Sequence, residues 1–350
     1  MDRISTATRD SLEEFLEHLA RKLDVDCSAL IPFTDYTEMM TALLEHVGQE
    51  KNRLLIAGHA SPDVAIAAER AGIEATEVPG ASPFVNHPEE ILQAVDSPNS
   101  LVYLANPNRI TGSNHSLQHV SRIAQSIPNG MLILDEKYYD YYGISALPLL
   151  ERFDNIVVIR SLTAGFSIGS DESGCLVGSI GFMAGLRNFY HWSRITTTML
   201  RLLSTSLSSG AEASKRVAQV HDESLRLAKE LQRMGVQNRI TSADFLLLRV
   251  ADTNRVAASL NGNGVPVDNL ESYPDLQNYL RYRIQSPLSN DGLLLTFRRM
   301  PSEYYRMADV DKRAVMFHRP GESPHDYAAT RTSSRLRSLA AKPKLEEIPA

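Results

Sequence analysis

Cysteine, tryptophan and long apolar runs are all scarce in this chain. Two cysteines, Cys27 and Cys175, occur in 350 residues, far apart and without CxxC or histidine-rich spacing. That excludes a disulfide framework and a zinc site, and a reduced, cytoplasmic setting is expected. No run reaches the roughly 18 apolar residues that span a bilayer, so no membrane partner is expected. The opening MDRISTATRDSLEEFLEHLARKL is too charged for a signal peptide. Charge does not come in blocks: 36 Lys and Arg stand against 42 Asp and Glu, a net charge of −6, with no basic stripe outside the tail. No nucleic-acid partner is expected from such a pattern. What remains is ordinary globular material, 43% hydrophobic and 22% charged, enough for a large domain and a smaller satellite.

Periodicity predicts an α/β protein. Leu12, Phe15, Leu16 and Leu19 form one stripe of a helix over 10–22, and Met40, Leu43, Leu44 and Val47 one side of a helix over 37–47. Short apolar runs at 54–57, 74–78, 100–104, 131–134 and 156–159 then alternate with helix-like segments at 61–71 and 117–126. Strands this apolar, separated by helices, predict a mostly parallel sheet covered on both faces, with ligands at the carboxyl ends of its strands. From 188 to 232 the chain reads as helical, and further strands are expected at 245–250 and 282–285. The expected division is an N-terminal helix or arm (1–30), a large domain (31–210), a small C-terminal α/β domain (211–300) and a basic, mobile tail (301–350).

The segments after the strands carry recognisable motifs. LANPNRITG (104–112), LILDEKYYDYYG (132–143), VVIRSLTAGF (157–166), ITSADFLLLRV (240–250) and YLRYRIQSPLSND (279–291) occur in order. They resemble the NPNNPTG loop, the VVDEAY strand end, the RSLSKAF anchor and two small-domain segments of fold type I pyridoxal-phosphate aminotransferases, most nearly histidinol-phosphate aminotransferase. The resemblance implies an aspartate-aminotransferase-like fold: a large domain with a mostly parallel sheet and a smaller C-terminal α/β domain. It implies cofactor roles for Asp135 at the pyridine nitrogen, Tyr138 at the phenolic oxygen and Ser161 at the phosphate, and a substrate-carboxylate role for Arg281.

The departures from the family pattern are as specific. Ala164 stands at the Schiff-base lysine, so no catalytic residue is assigned. Glu172 stands at a phosphate-binding arginine, putting an anion where a cation is needed. Arg109 and Ile110 replace the Asn-Pro of the NPTG loop, and PFTDYTEM (32–39) replaces a glycine-rich phosphate cup. Lys137 is the one nearby lysine considered as a substitute. Asp135 also reads as a strand-end carboxylate that caps a helix or pairs with Arg109 or Arg160, Arg281 as an ordinary ion pair, and Tyr138, Tyr139, Tyr141 and Tyr142 as packing. His115 and His119, four apart, read as a solvated face rather than a metal site, and Cys175 as a core residue.

The expectation is therefore an aminotransferase-like pseudoenzyme, unable to form an internal aldimine, with no cofactor. It would bind a carboxylate metabolite, or act as a homodimer or in a heterodimer with a competent aminotransferase-like chain. The alternative is an enzyme on this fold, either a pyridoxal-phosphate-dependent transaminase with a relocated lysine or a catalyst with replaced chemistry.

Overall fold

The computed structural model describes residues 6–48, 53–80, 82–84, 88–162, 173–189, 195–208 and 210–307. Ala164, Glu172 and the tail beyond residue 307 lie outside the described residues. Seven strands form the large sheet: β1 (Leu30–Phe33), β2 (Arg53–Ala57), β3 (Glu74–Val78), β4 (Leu101–Ala105), β5 (Met131–Asp135), β6 (Ile156–Ser161) and β7 (Gly174–Gly178). Their order across the sheet is β1-β7-β6-β5-β4-β2-β3. β2 to β6 are mutually parallel, while β7 runs against both β6 and β1. β4 and β5 are buried at every position, because helices cover both faces of the sheet. β3 sits at the edge, and its EATEV sequence leaves polar side chains in water.

The helices of this part are α1 (Thr6–Leu23), α2 (Tyr36–Val47), α3 (Pro62–Arg70), α4 (Pro88–Ala94), α5 (Leu117–Ser126), α6 (Tyr139–Tyr142), α7 (Ile180–Leu186) and α8 (Thr197–Ser208). α1 buries Leu12, Phe15 and Leu19, the predicted stripe, in the same core as Leu30, Leu43, Leu132 and Val158. Local chemistry fixes the helix starts. The Asp35 carboxylate accepts the Glu38 N–H at 2.8 Å to begin α2. Ser116 begins α5 in the same way.

A second, wholly antiparallel sheet is built from β8 (Gln237–Ile240), β9 (Phe245–Arg249), β10 (Asp268–Asn269) and β11 (Tyr279–Arg283), in the order β10-β11-β9-β8. With α9 (Gly210–Met234), α10 (Thr253–Gly262) and α11 (Pro287–Arg299) it encloses a core of Leu227, Leu231, Leu246, Leu248, Leu280, Tyr282 and Phe297. A last short helix, α12 (Ser302–Tyr305), packs Tyr305 edge-on against Phe297.

The strand expected at 282–285 runs instead from Tyr279 to Arg283. Alternation decides this: Leu280 and Tyr282 point into the core, while Arg281 and Arg283 do not, and Ser286 with Pro287 then starts α11. The helical stretch expected from 188 to 232 is likewise two helices, α8 and α9, and α9 extends to Met234. Between the two sheets lies a third apolar cluster of Ile110, Tyr138, Phe245, Leu247, Leu270 and Leu276.

Candidate active-site cleft

Strand order locates the cleft. β3 lies outside β2, and the chain then returns to place β4 on the other side of β2 and continues through β5 and β6. The direction of winding reverses between β2 and β4, and a crevice opens at the carboxyl ends of the strands on either side of such a reversal. Those ends carry Gly58 to Ser61, Asn106 to Gly112 and Asp135 to Tyr138.

Asp135 closes β5 and is completely buried. Its Oδ2 accepts the hydroxyls of Tyr36 at 2.9 Å and Tyr103 at 2.8 Å, and its Oδ1 accepts the Lys137 backbone N–H at 3.0 Å. Arg109 supplies the opposing charge, with Nη1 3.7 Å from Asp135 Oδ2 and 3.1 Å from the Ser61 hydroxyl. The same guanidinium lies 4.7 Å from the Tyr36 ring centre, and its Nη2 lies 3.8 Å from Asp63. Burial alone would lower the Arg109 pKa, but Asp135 and the surrounding tyrosines outweigh it and raise the value. Tyr36 and Tyr103 are held far above the ordinary phenol range by burial and by the Asp135 charge. Of the two arginines named as partners for Asp135, Arg109 is the one engaged. Arg160 pairs with Glu136 at 2.8 Å and stacks on Tyr139.

The loop after β4 is shaped by its own side chains. Asn108 Oδ1 accepts the N–H groups of Ile110 and Thr111, and its Nδ2 donates to the His59 carbonyl at 2.8 Å. Gly112 ends the loop at φ 65°, and a Cβ there would lie 2.3 Å from the Cβ of Thr241. The loop thus passes close against the β8–β9 turn, at a place where only glycine fits.

Tyr138 packs edge-on against Phe245, ring centres 5.8 Å apart, and lies 6.2 Å from Tyr141. Burial pushes its hydroxyl pKa up. Arg281 Nε donates to Asp268 at 2.9 Å and Nη1 to the Arg109 carbonyl at 2.8 Å, with the guanidinium over the Phe245 ring. Asp135, Arg109, Arg281 and Tyr138 therefore form one connected group at the junction of the two sheets. Ser161 closes β6, paired opposite Gly174. Lys137 is buried beside Tyr138, its Nζ 5.9 Å from that ring centre. In place of a glycine-rich cup, β1 runs into the Asp35-capped α2 and delivers Tyr36 to Asp135.

The sequence reading misses Tyr36 and Tyr103 as donors to Asp135. Tyr103 sits in an apolar strand, where nothing local marks it. It also places His115 on a solvated face, yet His115 is buried, its backbone fixed by two hydrogen bonds to Asn106. No group of three metal-binding side chains occurs among the described residues, and no helix there is long and apolar enough to cross a membrane.

Asp135 Oδ2 accepts two hydroxyls and faces Arg109 at 3.7 Å, so a pyridine nitrogen would share this carboxylate with Arg109, which has Asp63 as a second partner 3.8 Å away.

Comparison with known proteins places the chain. It is 29% identical over 203 residues to histidinol-phosphate aminotransferase from Caldanaerobacter subterraneus subsp. tengcongensis, covering 58% of this chain and 57% of that protein. The corresponding enzyme of Chlorobium luteolum is 30% identical over 207 residues, covering 58% and 56%. The chain thus spans under two thirds of the length of the curated relatives it matches. Among solved structures, histidinol-phosphate aminotransferase from Clostridium acetobutylicum superposes with a TM-score of 0.74 at 14% identity, covering 82% of this chain and 88% of that one. The enzyme of Sinorhizobium meliloti, solved in complex with pyridoxal-5'-phosphate, gives 0.73 at 17%, covering 83% and 82%. These likenesses establish the aspartate-aminotransferase-like fold. The expectation that no cofactor belongs to this cleft is overturned by the cofactor-bound neighbour together with the histidinol-phosphate aminotransferase relatives and the family match. That match, to the profile described as aminotransferase class I and II, extends over residues 2–283, and the chain belongs to this family.

Proposed function

We propose that the chain is a member of this family that binds pyridoxal phosphate reversibly, holds a carboxylate-bearing metabolite beside it, and does not transaminate by the family's route. The observation that carries this reading is the largely enclosed Arg109 guanidinium, its side chain 12% exposed, against the fully buried Asp135. The cofactor's contribution is to accept electrons from the substrate carbon, which requires its ring nitrogen to stay protonated. Asp135 serves that end poorly while its charge is shared with Arg109. At position 164 the sequence offers an alanine, which has no amine to link to a cofactor or to move a proton. Arg281, on the interior strand β11 of the small sheet, is the hook for a carboxylate, a bidentate task suited to a guanidinium. Tyr138, packed on Phe245, bounds the same space. The assembly in this reading is a homodimer, or a heterodimer with a competent aminotransferase-like chain.

A second reading, an active transaminase, is favoured by the relatives' activity and by Lys137. A buried lysine whose own N–H holds Asp135 stands next to Tyr138, in the same group of residues.

Calorimetric titration of the purified chain with pyridoxal phosphate tests the first reading. It expects saturable binding that dialysis reverses, weakened when Asp135 is changed to Ala. Absence of binding, or binding that dialysis does not remove, contradicts it.

A further inference from the structure

His59, on the loop after β2, lies between two carboxylates from different parts of the fold. Its Nδ1 is 3.3 Å from Glu77 Oε2, at the end of β3, and its Nε2 is 2.8 Å from Asp275 Oδ1, on the 270–278 loop between β10 and β11. The imidazole is buried, its side chain only 8% exposed. A neutral imidazole has one N–H and one lone pair, so it satisfies one carboxylate and turns its lone pair on the other. Only the imidazolium donates to both. The surroundings keep the arrangement rigid: Glu77 Oε1 accepts the Ala60 N–H, the His59 carbonyl accepts from Asn108, and the Tyr273 hydroxyl donates to the Ala60 carbonyl at 3.0 Å. The Tyr273 ring lies tilted against the imidazole, ring centres 4.9 Å apart.

We propose that His59 is a proton-operated latch, which in its charged form fastens the 270–278 loop of the small sheet to the wall of the large-sheet cleft. The charged and titratable groups facing it are Glu77 from β3, Asp275 and Tyr273 from the 270–278 loop, and Glu90 and His115 across the small cavity they share. Arg281, Arg109 and Asp63 also act electrostatically on Tyr273. Burial opposes the charge on His59, but Glu77 and Asp275 outweigh it and raise its pKa. Glu77 stays with His59 when the loop lifts, so of its two carboxylates the imidazole loses only Asp275, while the Tyr273 bond to Ala60, which carries no charge, opens with the loop.

The sign follows from that. The latched imidazole has the higher pKa and opening releases a proton, so the latch is complete below the open-state pKa. It weakens as pH rises through the latched-state pKa. Between those two values the opening constant climbs up to tenfold per pH unit. The inference stands independently of any cofactor or activity.

Hydrogen–deuterium exchange of the full chain, read on the 270–278 peptide from about pH 6 to about pH 9 and corrected for intrinsic exchange, tests it. Wild type should lose protection in a step as pH rises. His59→Gln, which carries no charge, and Asp275→Asn, at a side chain 37% exposed, should each remove the step. Tyr273→Phe, which loses only the Ala60 bond, should lower protection at every pH and keep it. Protection that is flat with pH in wild type, or a step that survives in Asp275→Asn, overturns the proposal.

Discussion

Replacing Arg109 with Ala removes the positive side chain that stands 3.7 Å from the Asp135 carboxylate. At the observed 3.7 Å the attraction is worth about 4 kcal/mol at an effective dielectric constant near 20, before desolvation is counted. Leaving one member of a buried pair uncompensated costs about 3–5 kcal/mol. Asp135 keeps three hydrogen bonds, from Tyr36, Tyr103 and the Lys137 N–H, which places the expected loss at the lower end, about 3 kcal/mol. Urea unfolding at fixed chain concentration measures it, and a double-mutant cycle with Asp135→Asn isolates the pair. The two changes should be coupled by about 2 kcal/mol, since the doubly altered site holds neither charge. A single-mutant loss under about 1 kcal/mol, or additivity within about 0.5 kcal/mol, would refute the view that Arg109 and Asp135 act as one buried unit.

Two further outcomes follow from the same geometry. Gly112→Ala puts a Cβ into Thr241 at a left-handed backbone position and should cost about 2–4 kcal/mol, seen as a lowered unfolding midpoint; a change within about 0.5 kcal/mol would contradict the close approach of the two segments. Cys175 is buried in β7 and its thiol is pushed up to about 12 by burial, so in the folded chain a thiol reagent at neutral pH should modify Cys27 and leave Cys175 untouched until denaturant is added. Rapid modification of both would show that β7 opens readily.

Much of the fold was legible because both periodicities were clean. Leu12, Phe15 and Leu19 marked α1, and LVYLA and MLILD marked strands buried on both faces. The β11 strand was displaced in the sequence reading because YLRYRI alternates polar and apolar residues through its end, and only pairing of Tyr279 to Arg283 with β9 fixes the boundary. At the site, Asp135, Tyr138, Arg109 and Arg281 could be named from strand-end motifs. Their contacts could not be, because these depend on residues far away in sequence. Tyr36 and Tyr103 reach Asp135 across 99 and 32 residues, and Asp268 and the Arg109 carbonyl claim Arg281 from β10 and the β4 loop. His59 carries no signal in the sequence, because a lone histidine gains its two partners only when Glu77 and Asp275 are brought to its nitrogens.

Borohydride reduction of the chain saturated with pyridoxal phosphate, followed by peptide mass mapping, tests the central claim most directly. The account predicts that the cofactor washes out and that no lysine peptide carries its mass. A reduced adduct on Lys137, present in stoichiometric amount, would contradict it and make the chain a transaminase with a displaced amine.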